Sequence, residues 1–333
     1  MVLGDPAGIG PELIARLLAD PATSVQADIL LIADRDEWRH GMQVAGVDLA
    51  LSETSIPAFA EGGGAPRFFH WQLADKPAYV RGVASAEGGR YSLGTLALAL
   101  DLAQQGEADA ILFGPLNKSS LHAAGMAHND ELHWFAERLD YHGNFCEFNV
   151  LDGLWTSRVT SHVALKDVPA MITRDSVGAA IDLIDKALRG AGMVRPRIAV
   201  CGLNPHNGDN GAFGREEIDV IAPAVADARE RGVAADGPFP ADTIFLKVQG
   251  GPAERQFDAI VTMYHDQGQI GIKLMGFSRG VTVQGGLPVP ITTPAHGTAF
   301  DITQQGRADP GATRQAFQIA CRMGAQRRTA APG

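Results

Sequence analysis

Short apolar runs that end in Gly-, Pro- and Asn-rich loops alternate with amphipathic stretches along almost the whole chain. Ile29-Leu-Leu-Ile-Ala, Ala108-Asp-Ala-Ile-Leu-Phe, Arg197-Ile-Ala-Val-Cys and Phe257-Asp-Ala-Ile-Val-Thr-Met-Tyr are too short for helices, and their pattern predicts buried strands. Tyr91 to Gln105 reads as a helix whose apolar side holds Leu93, Leu96, Leu98, Leu100 and Leu102. Asp175 to Arg189 reads as another, with Val177, Ala180, Ile181, Ile184 and Leu188 at helical spacing. Further helices are expected over Glu216 to Arg231 and Thr313 to Gly324. Such alternation implies an α/β fold, a mostly parallel sheet flanked by helices. Glu61-Gly-Gly-Gly-Ala-Pro and Gly250-Gly-Pro-Ala-Glu-Arg read as surface loops, and Arg327 to Gly333 as a frayed tail.

Open α/β sheets bind ligands beyond the C-terminal ends of their strands, and three histidines fall there. His206 sits in Cys201-Gly-Leu-Asn-Pro-His-Asn-Gly-Asp-Asn-Gly; His162 follows Ser157-Arg-Val-Thr-Ser; His265 follows Met263-Tyr. Imidazole is the commonest metal ligand, but these long spacings match no local metal signature. The residues alone leave two readings open: one shared metal site, or three separate imidazoles bonded to their loops. Asn204, Asn207, Asp209, Asp266 and Gln267 offer hydrogen-bond partners to metal-bound imidazoles, which favours the shared site. His40, His70, His122 and His142 lack such surroundings and read as surface or structural. Gly4-Asp-Pro-Ala-Gly-Ile-Gly-Pro is a loop entering a helix, but it is not the GxGxxG dinucleotide fingerprint. Lys118, in Gly114-Pro-Leu-Asn-Lys, is either an anion or proton-transfer group or a solvated helix-start lysine. Pro294-Ala-His-Gly-Thr-Ala-Phe-Asp lets a ligand approach its backbone closely, with Asp301 placed to accept from ribose hydroxyls.

The 333 residues suffice for two domains. A net charge of −10 argues against nucleic acid and anionic membrane surfaces, which require clustered Lys and Arg, and leaves small-molecule chemistry open. Cys146, Cys201 and Cys321 form no CxxC pair, which favours a reduced, cytoplasmic protein. No apolar run approaches a membrane span and no signal-peptide pattern opens the chain. Met1-Val-Leu is a short lead into the first Gly/Pro loop, so a longer first strand is expected to precede it.

Six ordered blocks resemble the 4-hydroxythreonine-4-phosphate dehydrogenase family: GDPAGIGPE at 4–12, GPLNK at 114–118, CGLNPHNGDNGAFGREE at 201–217, GPFPADTIF at 237–245, YHDQGQIGIKLMGF at 264–277 and GLPVPITTPAHGTAFDI at 286–302. The resemblance implies an isocitrate/isopropylmalate dehydrogenase-like fold of two α/β/α domains with the active site in the cleft between them. It implies a cofactor-side domain of 1–120 with 275–333, and a metal, substrate and dimerisation domain of 121–274. It also implies NAD, held around Gly4, Asp5, His296, Gly297, Thr298 and Asp301. A divalent metal would be held by His162, His206 and His265, with His265 reaching across a homodimer. Zinc suits three imidazoles; magnesium, manganese or cobalt suits a site that also takes substrate oxygens. Asp242, Lys118 and Asp266 are the base candidates.

At the substrate positions, Glu131 and Leu132 stand where the family carries a His-Thr pair, Thr282 where it carries Asn, and Ile291 where it carries Arg, while Lys273 is retained. These exchanges remove much of a phosphate clamp. The altered pocket is similar to that of the terephthalate cis-dihydrodiol dehydrogenase branch, so the expected reaction is oxidative decarboxylation of that diol to protocatechuate and CO2. The alternatives are 4-phosphohydroxythreonine or a related phosphorylated four-carbon acid as substrate, and an inactive ligand-binding paralogue.

Overall fold

The computed structural model describes residues 1–60, 64–75, 78–251 and 253–330. Glu61, Gly62, Gly63 and Pro252 of the two expected loops, and residues 331–333 of the tail, lie outside the described residues. The strands are β1 (Leu30–Ala33), β2 (Ser52–Glu53), β3 (Arg67–His70), β4 (Ile111–Leu112), β5 (Cys146–Leu151), β6 (Leu154–Arg158), β7 (Ile198–Cys201), β8 (Ala235–Phe239), β9 (Ala259–Thr262), β10 (Val281–Gly285) and β11 (Ile291–Pro294). The chain divides into two compact units, Met1–His142 with Leu287–Gly333, and Gly143–Gly286. Their borders fall at 142/143 and 286/287, where the sequence reading has 120/121 and 274/275.

In the first unit β1, β3 and β2 pair in parallel in that order. Val2 bridges both Ile32 and Phe113, and β4 runs parallel to β11. Val2, Ile32, Leu96, Leu100, Phe113, Phe135 and Ile291 belong to one apolar cluster. The helix expected from Tyr91 starts earlier, at Ala86, because the Ser85 hydroxyl caps it by accepting from Gly88 N at 3.0 Å. Gly88 and Gly89 look like breakers in sequence, yet they are required by packing. A Cβ on Gly89 would stand 2.0 Å from the Ser120 carbonyl of the neighbouring helix Lys118–Ala123. The C-terminal helix, Gly311–Ala330, takes in residues 327–330 of the tail expected to fray. Arg327 pins it, donating to the carbonyls of Ala108 and Ala103, each at 2.9 Å.

The second unit orders its strands β10-β5-β6-β9-β7-β8. β6, β9, β7 and β8 are parallel, as expected, but β10–β5 and β5–β6 are antiparallel, so the sheet is mixed. The β5–β6 hairpin turns on Asp152-Gly153, both at positive φ (48° and 84°), the pairing that a tight hairpin turn demands. Phe148, Val150, Trp155, Val281 and Val283 are buried. Helix Arg174–Gly190 opens with a reciprocal cap between Thr173 and Ser176. The expected helix from Glu216 divides into a π-helical turn, Glu217–Ile221, and an α-helix, Ala222–Glu230. Helix His265–Gly276 was hidden by its glycines. Among the described residues no helix is long and apolar enough to cross a membrane.

Gly89→Ala tests the helix packing. Intrinsic propensity favours alanine by about 1 kcal/mol, whereas the overlap with a backbone carbonyl costs about 1–3 kcal/mol. Urea unfolding should show a net loss of stability; a raised midpoint would contradict the packing.

Candidate active site at the strand ends

Neighbouring strands lie about 4.8 Å apart, so residues just past the ends of parallel neighbours are brought together by the sheet itself. In the second unit the parallel order β6-β9-β7-β8 aligns His162, His265, His206 and Asp242 beyond successive C-terminal ends. The rings of His162 and His265 stand 5.6 Å apart, inclined by 43°. The β6–β9 pairing continues past both strands to hold them there. Val159 N donates to Thr262 O at 2.9 Å, and the amide and hydroxyl of Thr160 both donate to Met263 O, at 3.1 and 2.9 Å. His265 Nδ1 lies 2.7 Å from Asp266 Oδ1. An ionised carboxylate only accepts, so Nδ1 donates in this bond, and in the neutral ring that leaves Nε2 as the acceptor. Within one chain, His265 stands beside His162.

His206 is held differently. His206, Asn207, Gly208, Asp209 and Asn210 all have positive φ (52°, 55°, 74°, 44° and 53°), a short left-handed turn. Gly, Asn and Asp enter this region at small cost; His206 does so against its preference, and such strain persists only where the surroundings enforce it. The buried Glu217 carboxylate fixes the chain entering this turn: Oε1 accepts from Leu203 N and Asn204 N, both at 2.7 Å, and Oε2 accepts from Asn204 Nδ2 at 3.0 Å. Asn207 Nδ2 donates to Pro238 O at 2.8 Å. Gln267 joins the β7 and β9 loops, donating from Nε2 to Gly202 O at 2.8 Å and accepting from Met263 N at 2.7 Å. Asn207 and Gln267 therefore fix backbone, the Asn204 side chain binds the carboxylates of Glu216 and Glu217, and Asp266 orients an imidazole. Among the described residues no group of three His, Cys, Asp or Glu side chains is placed to hold a metal ion.

In the first unit the loops after Val2, β4 and β11 interlock, through Asp5 N to Pro115 O at 3.0 Å and Ile9 N to Thr298 O at 3.1 Å. Gly4, Asp5 and Thr298 are buried framework. Burial raises the pKa of the Asp5 carboxyl, whose Oδ1 accepts from Ala7 N at 2.9 Å. Gly297 and Asp301 are exposed and His296 is half-buried, so these three of the expected cofactor set offer surface. Lys118 is exposed at the start of its helix, behind an Asn117 cap.

The expected substrate residues separate by burial. Ile291 is 0% exposed within the apolar cluster and Leu132 is 4% exposed, so neither side chain offers a surface to a substrate ring. Thr282 is buried in β10 opposite Asn149. Glu131 is half-buried and Lys273 exposed. Asp130 caps helix Glu131–Arg138 and also holds His133 Nδ1 at 2.6 Å. Glu217 went unread because only its acidic neighbour and the preceding Gly-rich loop hint at a carboxylate facing backbone amides.

The profile of the family described as "Pyridoxal phosphate biosynthetic protein PdxA" matches residues 25–320. A Pseudomonas aeruginosa protein named "Putative 4-hydroxythreonine-4-phosphate dehydrogenase 2" is 68% identical over 97% of this chain and 96% of its own. D-threonate 4-phosphate dehydrogenase of Salmonella typhimurium is 36% identical over 97% of this chain and 98% of its own. The solved 4-hydroxythreonine-4-phosphate dehydrogenase of Klebsiella pneumoniae superposes with a TM-score of 0.80 at 34% identity, covering 97% of this chain and 96% of that one. The terephthalate 1,2-cis-dihydrodiol dehydrogenase of Burkholderia xenovorans is more distant, with a TM-score of 0.68 at 26% identity over 96% of each chain.

Glu217→Gln replaces one accepting oxygen with a donor facing donors. It should lower stability by about 1–3 kcal/mol and speed proteolysis between residues 202 and 214. An unchanged unfolding midpoint and cleavage rate would show that something else holds the turn.

Proposed function

The chain belongs to the PdxA family, and on that premise we propose that it is a metal-requiring, NAD-dependent dehydrogenase of a phosphorylated four-carbon hydroxy acid. The relatives carry the choice of substrate. Those named for phosphate esters of hydroxythreonine or threonate are 34% to 68% identical to it, against 26% for the dihydrodiol dehydrogenase. The dihydrodiol reading drew on the similar blocks at 268–277 and 285–302 and on Leu132, Trp134 and Ile291 as ring contacts; Leu132 and Ile291 are buried and Trp134 is half-buried. Lys273, exposed in the same unit as the three histidines, supplies positive charge for the substrate's anionic groups.

The observation that carries the chemistry is the imidazole pair. Two imidazoles bound through one nitrogen each to a tetrahedral ion, at metal–nitrogen distances near 2.0 Å, have ring centroids about 5 Å apart. His162 and His265 stand at 5.6 Å, and Asp266 leaves His265 Nε2 free to ligate. His162, His265 and His206 would hold the metal, the set being completed in a homodimer. When bound, the ion supplies Lewis-acid polarisation of the substrate's alcohol and of the ketone that replaces it. Asp242, exposed beyond β8, accepts the alcohol proton. Asp266 keeps the proton on His265 Nδ1 throughout. Gly297, His296 and Asp301 bind the nicotinamide cofactor, which supplies the hydride acceptor. Oxidation at the carbon β to the carboxylate gives a β-keto acid, which loses CO2.

A second copy fits the helix that begins at His265. Ile270 and Leu274 lie one turn apart on it, 62% and 84% exposed, an apolar stripe that water disfavours.

Two measurements test this reading. With NAD and a divalent metal, the enzyme should form NADH from 4-phosphohydroxythreonine or D-threonate 4-phosphate and not from the terephthalate dihydrodiol; turnover of the diol alone would overturn the substrate class. In sedimentation velocity, Leu274→Glu should shift a dimer to monomer, and an unaltered dimer would remove this face from the interface.

A further inference from the structure

Beyond the strand-end histidines, the second unit holds a buried charge with a directed hydrogen bond. Arg158 ends β6, and its side chain is 4% exposed. Its guanidinium is engaged on three sides. Nη2 donates to Glu147 Oε2 at 3.2 Å; Nη1 donates to Glu147 O and Asn149 Oδ1, each at 3.4 Å; Nε donates to Ser161 Oγ at 2.7 Å. The Nε bond is the shortest of these and reaches the residue immediately before His162.

The segment leading to His162 thus has two anchors. Thr160 is tied to Met263, on the strand that leads to His265. Ser161 is tied to Arg158, which Glu147 and Asn149 of β5 hold in place. The first anchor sets the spacing of the two loops. The second sets how far past the strand end His162 is carried. A guanidinium suits this task because its planar fork directs Nε and both terminal nitrogens at once, which an ammonium cannot do. Glu147, half-buried at 22% exposure, lies against the buried guanidinium and helps fix it.

Resting on the reading of His162 as a metal ligand, we propose that Arg158 is a positioning residue for the metal site, acting through Ser161. It touches neither substrate nor cofactor. Residues that orient metal ligands typically change metal affinity 10- to 100-fold when replaced.

The test is calorimetric titration of the full chain with Zn2+. Ser161→Ala deletes one hydroxyl at a half-buried loop position and should leave the unfolding midpoint near that of the unsubstituted protein while weakening Zn2+ binding about tenfold or more. Arg158→Lys keeps the charge beside Glu147 and should weaken binding similarly. The double variant should be no weaker than Arg158→Lys alone, because both changes break one link. Tight Zn2+ binding by the unsubstituted protein together with equally tight binding by Ser161→Ala would overturn the positioning role alone. Additive losses in the double variant would also overturn it. Failure of the unsubstituted protein to bind Zn2+, Co2+, Mn2+ or Mg2+ would overturn the metal reading, and the inference with it.

Discussion

The buried carboxylate of Glu217 is the constraint on which the histidine edge of the second unit depends. Its oxygens accept two backbone amides and one side-chain amide from Leu203 and Asn204. Without a fixed anion there, those amides would need other partners, and the left-handed turn that follows would lose its starting point. Gln267 adds the second tie by bridging Gly202 and Met263. Polar side chains thus do for the loops what the hydrogen-bond ladder does for the strands.

The strands supply the coarser placement. β9 lies between β6 and β7, so His265 emerges between the loops of His162 and His206. Interstrand spacing is a property of the backbone, so the approach of His162 to His265 needs no special side chain to bring it about. What requires particular residues is the finer setting, namely Asp266 on the imidazole of His265, Thr160 on Met263, and Arg158 on Ser161.

Much of this was legible in the sequence, and the omissions have physical causes. Buried parallel strands are continuous apolar runs, so β1, β7 and β9 stood out, and with them the histidines that follow. The antiparallel hairpin was missed because its alternation is carried by Cys146, Glu147, Asn149 and Ser157 as much as by Phe148 and Trp155; the Asp152-Gly153 turn was the available signal. Glycines hid the start of helix Ala86–Gln104 and all of helix His265–Gly276. They are tolerated because neighbouring atoms need the space: a Cβ on Gly271 would stand 2.8 Å from the Phe245 ring. Substrate positions were the least legible. Aligning Ile291 and Leu132 with polar contacts of relatives says which residue stands there, but not that both side chains turn into the core.

The central claim is that the strand ends form an imidazole metal site. X-ray absorption spectroscopy on the Zn2+-loaded protein measures this most directly. The account predicts one zinc per chain with three imidazole nitrogens at about 2.0 Å, falling to two in His206→Ala. Zinc bound through sulfur, or with an unchanged imidazole count in His206→Ala, would contradict it.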